Sequence, residues 1–157
     1  MNGSLRFAGA VLLGSVIFTY PSWSGEIRTY TKSAPYDDVR FDLNNAVIER
    51  GLTIDQTGQI GEMLERTGPD VGSTKPLYRR AEFLTFCSAK LSRAMMEADP
   101  TNIGLCPYVV FIYEAVDRPG ETVVGYRRPL VAGGEASRKA TAAVDALLDG
   151  IVKDAVK

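Results

Sequence analysis

The chain predicts an α+β domain, on three observations. Strand-like and helix-like segments follow one another in the order strand, helix, several strands, helix. The most apolar run, YVVFIYEAV at 108–116, is joined through Asp117, Pro119 and Gly120 to a second strand at 121–127, which is the pattern of an antiparallel hairpin. The chain then closes with an amphipathic helix whose apolar stripe needs a sheet to cover. A length of 157 residues with 45% hydrophobic and 24% charged side chains suits one domain around one core.

Taken in order, the first two dozen residues stand apart. Arg6 precedes an apolar run from Phe7 to Tyr20, which Pro21, Ser22, Trp23 and Ser24 end. That run is shorter than the about 20 residues of a membrane span and has the plan of a secretory signal peptide. The reading is a signal peptide over 1–24, cut after Ser24 or alternatively Gly25. It leaves a mature domain, 25–157, that is periplasmic or secreted and free of the membrane after cleavage. IRTYTK at 27–32 alternates and is rich in β-formers, so it reads as the first strand. Ser33 and Pro35 open a helix over 35–50, with Asp37 and Asp38 in its first turn and Tyr36, Val39, Leu43, Ala46, Val47 and Arg50 on one side. Gly51 follows as a C-terminal cap.

A short strand is expected at 52–56, then one or two helical turns through Ile60, Met63 and Leu64. Pro69, Gly72, Ser73 and Pro76 mark an exposed loop, without the spacing of a phosphate-binding glycine motif. RAEFLTFC at 80–87 reads as the third strand, with Leu84 and Phe86 on one face. Ser88 can cap a helix carrying Leu91, Ala94, Met95 and Ala98, which Pro100 stops. The near-continuous apolar character of 108–116 places that strand centrally. The closing helix spans about 135–155, with Ala140, Ala143, Val144, Leu147, Leu148, Ile151 and Ala155 on its covered face.

Composition excludes much chemistry. Eighteen Lys and Arg against nineteen Asp and Glu give a net charge of -1, mixed along the chain, which offers nothing to nucleic acid. There is no histidine, so imidazole metal sites and His-based triads are absent. No catalytic set and no cofactor signature is visible, and a non-enzymatic protein is the expectation. Glu82, Glu97, Asp99 and Glu114 are the carboxylates near the central stretch, and spacing alone pairs none of them for acid–base work. Tyr126, Arg127 and Arg128 at a strand end, with Tyr108, are candidates for an anionic ligand, because the arginine fork suits carboxylate or phosphate. A solvated strand edge is the alternative.

Cys87 ends one predicted strand and Cys106 precedes the next. If those strands are antiparallel neighbours, the two thiols lie within bridging reach. A structural disulfide is the leading reading for an exported chain, worth about 3 kcal/mol in the chain-entropy model. Three alternatives stay open: a redox-active pair, a Cu(I) site with Met95 or Met96, and two free thiols.

The central block resembles the domain of unknown function 302 family. It runs strand, Cys87, amphipathic helix, acidic residue with Pro100, then Ile103, Gly104, Leu105, Pro107 and an apolar strand. The resemblance covers about 27–130 and departs from the family's usual CNP and LPC patterns, showing Cys87-Ser88-Ala89 and Cys106-Pro107-Tyr108, as exported bacterial members do. It implies a two-layer α+β fold in which helices cover an antiparallel sheet, similar to the TATA-box-binding-protein arrangement, and it implies no activity. The functional expectation is a binding or accessory module for an unknown small ligand or protein partner, with a site between the sheet and the Cys87–Pro107 connection. Thiol–disulfide, sulfur or Cu(I) handling by Cys87 and Cys106 is the alternative, and a homodimer is compatible with either.

Overall fold

The computed structural model describes residues 26–130 and 133–157. The expected signal peptide and its cleavage site fall outside them. The elements are β1 (Ile27–Ser33), α1 (Tyr36–Ile48), β2 (Ile54–Gly58), α2 (Ile60–Thr67), β3 (Tyr78–Phe86), α3 (Ala89–Ala98), β4 (Tyr108–Ala115), β5 (Glu121–Arg127) and α4 (Glu135–Ala155), with 3-10 turns at Pro69–Val71 and Pro100–Leu105. The five strands form one antiparallel sheet in the order β1-β5-β4-β3-β2, so the most apolar strand is central, as its composition demands.

Strand alternation divides the sheet into two faces. Leu84 and Phe86 from β3, Tyr108, Val110 and Ile112 from β4, and Val124 and Tyr126 from β5 point to one side and are almost wholly buried. There they meet Val39, Leu43 and Val47 of α1, Met95 of α3, and Val144, Leu148, Ile151 and Val152 of α4. The helices are amphipathic because they cover this face, and burying such side chains is the main stabilising contribution. On the opposite face α2 packs over β3, with Gly61 against the Ala81 backbone, while β1, β5 and β4 stay open. Two rings lie flat there over glycines: a Cβ at Gly125 would stand 2.5 Å from Phe111 Cζ, and one at Gly58 would stand 2.1 Å from Phe83 Cζ.

Several boundaries differ from expectation. β2 begins at Ile54 rather than Leu52, because its ladder is fixed by pairing with residues 83–86 and carries a bulge between Ile54 and Gln56. Pro100 does stop α3, yet the chain then makes a 3-10 segment that Asp99 caps by accepting from the Thr101 amide at 2.9 Å. Ala94 and Ala143 are exposed, not covered. The buried line of α4 is completed instead by Ser137 and Thr141, which satisfy their hydroxyls internally: Thr141 Oγ1 donates to Ser137 O at 2.8 Å, and Ser137 Oγ accepts from Asn102 Nδ2 at 2.8 Å.

Candidate functional site

The β3–β4 ladder pairs Phe86 with Tyr108 at one end of the sheet. Cys87 follows Phe86 and Cys106 precedes Tyr108 by two residues, so the register itself brings the two thiols together. Both are free, and the Cys87 thiol donates to Cys106 Sγ at 3.4 Å. A disulfide sulfur pair stands about 2.05 Å apart, so the thiols are in contact and unbonded. Ser92 on α3 shares a hydrogen bond of 3.1 Å with Cys106 Sγ and another of 3.0 Å with the Tyr108 hydroxyl. Cys87 is exposed and Cys106 half-buried. Partial desolvation, with the neighbouring Cys106 thiol, pushes the Cys87 thiol up to about 11, and burial pushes the Tyr108 hydroxyl up to about 12. The Cys87 thiol is therefore protonated at neutral pH. Met95 lies fully buried in the core, and among the described residues no three Cys, Asp or Glu side chains gather as a metal centre.

Beside the thiols, at the end of the sheet where β4 starts and β5 stops, lies a cleft of about 540 Å³. One wall is Gly104, Leu105, Pro107 and Tyr108, the other Arg127, Arg128, Pro129 and Leu130, with Ile27 and Leu148 between. Three of the four sequence candidates, Tyr108, Arg127 and Arg128, meet here. Tyr126 does not: its side chain turns to α4, where its hydroxyl donates to Asp145 at 3.0 Å. Arg128 is held by Asp145, with contacts of 3.1 Å from Nε and 2.7 Å from a terminal nitrogen, and by Glu26 at 2.8 Å. Those carboxylates raise its pKa above the usual guanidinium value, and the hydrogen bond from Arg128 in turn lowers that of Asp145. Arg127 is exposed and makes no ion pair with a described residue, which leaves it as the cation facing the cleft.

The other acidic candidates are used elsewhere. Glu82 is buried against Arg40 at 2.6 Å, Glu97 pairs with Arg93 on the α3 surface, Asp99 caps its turn, and Glu114 takes Arg79. No two of them face each other as an acid–base pair. Sequence reasoning missed Ser92, whose only signal is a small polar residue beside the inward stripe of α3. It also missed Leu130, an apolar residue after Pro129 that reads as ordinary loop, and had Leu105 only as part of the family resemblance. A second cleft of about 550 Å³ lies on the open sheet face, lined by Ile27, Ile60, Leu64, Tyr78, Phe111 and Tyr113, with none of the candidate arginines.

The sheet order and the helical layer define a two-layer α+β protein with this cleft and thiol pair at one end. The family model for the domain of unknown function DUF302 matches residues 28–155. The chain belongs to the DUF302 family, and the match takes in α4, beyond the limit near residue 130 expected from the sequence. Among solved structures, the crystal structure of an uncharacterized conserved DUF302 protein from Bacillus stearothermophilus is similar in fold, with a TM-score of 0.68 at 15% identity over 82% of this chain and 97% of that one. No curated protein matches the chain.

Proposed function

We propose that this protein is a non-enzymatic binding module that takes a small organic anion in the cleft between residues 104–108 and 127–130. One observation carries this reading: a cleft of about 540 Å³ faced by Arg127, which makes no ion pair among the described residues. The volume falls within the about 300–1,000 Å³ of small-molecule sites. Leu105, Pro107 and Leu130 offer an apolar body, and Arg127 offers the charge that a carboxylate or sulfonate needs. Arg128 is engaged with Asp145 and Glu26, and serves to hold the wall in place. The module is exported, and in an oxidising compartment Cys87 and Cys106 close into a structural disulfide.

The test is thermal stability of the full chain against a panel of aromatic and aliphatic carboxylates and sulfonates, beside Arg127→Ala. Members of the panel should raise the melting temperature of the parent and not of the variant. A panel that moves neither protein, or both equally, removes the support for this site.

The exposure of Cys87 within 3.4 Å of Cys106 favours a second reading, thiol–disulfide or soft-ion handling by that pair. A reduction potential in the glutathione range would support it, whereas a bond that resists glutathione points to structure alone.

A further inference from the structure

We propose that Cys87 and Cys106 form a redox clasp on the cleft: when bonded, they tie the wall at residues 104–108 to the end of β3 and strengthen ligand binding there. This rests on the cleft reading above. The geometry for the coupling is local. Cys106 lies between Leu105 and Pro107, both of which line the cleft, and its own sulfur points away from it, toward Cys87 and Ser92. Leu105 and Cys106 pack partly on the core, but the outer part of the wall is lightly held. Ile103 is 65% exposed, Gly104 has open space where a side chain would stand, and the 3-10 segment is anchored mainly at its start, through Asp99 and the two hydrogen bonds of Asn102. Cys87, in contrast, directly follows the last residue of a strand paired on both sides. A covalent bond between them passes the rigidity of the sheet to the wall, so less ordering remains for a ligand to impose.

The chemistry is ordinary exchange with a small-molecule disulfide such as glutathione disulfide. The exposed Cys87 thiolate attacks one sulfur of that reagent and releases one glutathione thiolate. The Cys106 thiolate then attacks Cys87 Sγ, forming the internal bond and releasing the second glutathione thiolate. Two protein thiols are oxidised, one external disulfide is reduced, and the two protons are taken up by the released thiolates.

The experiment uses the full chain, reduced with a phosphine or oxidised with glutathione disulfide, and the fluorescent anion 8-anilinonaphthalene-1-sulfonate as probe. Intact mass should show loss of two hydrogens on oxidation, with no retained glutathione. Amide exchange at 103–108 should slow, and the probe should bind about fivefold or more tightly in the oxidised state. Arg127→Ala should weaken that binding, whereas Leu64→Asp, on the other cleft, should leave it in place. Cys106→Ser, oxidised or not, should behave as the reduced parent. The redox comparison within the parent chain stands even if that variant fails to fold. Retained glutathione, unchanged exchange, or equal affinity in the two states each overturns the clasp while leaving the cleft standing. A probe that binds in neither state, or indifferently to Arg127, overturns the cleft reading and the clasp with it.

Discussion

The Cys87 thiol and the Gly125 backbone each place a measurable constraint on a single position. The Cys87 thiol is pushed up to about 11 by burial and by Cys106, so its thiolate fraction is small at neutral pH. An unperturbed cysteine near 8.5 has levelled off by pH 9.5, whereas oxidation of this chain by glutathione disulfide should keep accelerating by about tenfold per pH unit to beyond pH 9. A plateau near pH 9, measured by quenched thiol titration, would contradict the desolvated pair. Gly125 has no room for a side chain, since a Cβ would stand 2.5 Å from Phe111 and 2.6 Å from the Arg28 carbonyl. Gly125→Ala should cost about 1–3 kcal/mol in urea denaturation, from displacing a ring and a neighbouring strand. At this scale the sequence was only partly readable. Tyr108, Arg127 and Arg128 were recognisable as candidates, but hydropathy alone could not tell that Tyr126 turns inward to Asp145 while Arg127 faces the cleft.

At the scale of elements, periodicity worked wherever large apolar residues set the stripe. α1 buries Tyr36, Val39, Leu43, Ala46 and Val47, the residues its spacing predicts. It failed where the covering residue was small or polar. Alanine hides little area on either side of a helix, so Ala94 and Ala143 read as covered and are exposed. Ser137 and Thr141 are not among the residues expected on the covered face and are buried, because hydrogen bonds within α4 and from Asn102 make burial tolerable. Asn102 is the key to that arrangement: its amide nitrogen donates to Met95 O at 2.9 Å and to Ser137 Oγ at 2.8 Å, joining α3, the 3-10 segment and α4. Asn102→Ala should cost about 1–3 kcal/mol, because it takes the amide donor from the buried Ser137 hydroxyl oxygen, while Met95 O still accepts from the Asp99 amide. If denaturant melting shows no loss, the joint is not structural.

The whole molecule is closed by charge at the rim of α4. Asp149 accepts from Lys153 at 2.6 Å, from Tyr30 at 2.6 Å and from Arg28 at 3.3 Å, tying α4 to the edge strand β1, while Asp145 does the same for the end of β5 through Arg128. The hydrogen bond from Lys153, then that from Tyr30, lowers Asp149 to about 2. Since the folded value lies below the unfolded one of about 3.9, this stabilisation is complete above pH 4 and is lost as pH falls from about 4 to 2. The loss should be on the order of 1 kcal/mol for so screened a group, and Asp149→Asn should flatten it in a pH series of urea midpoints.

In that same sheet, among the described residues β1 pairs only with β5, and Thr29 faces Gly125, 96 positions further on. A chain made from its N-terminus therefore carries β1 without its ladder until nearly all of the domain has left the ribosome. The β3–β4–β5 meander, whose partners are near in sequence, has by then been free to form. The edge strand is thus the last main-chain seam to close and the one most open to capture by another copy while it waits.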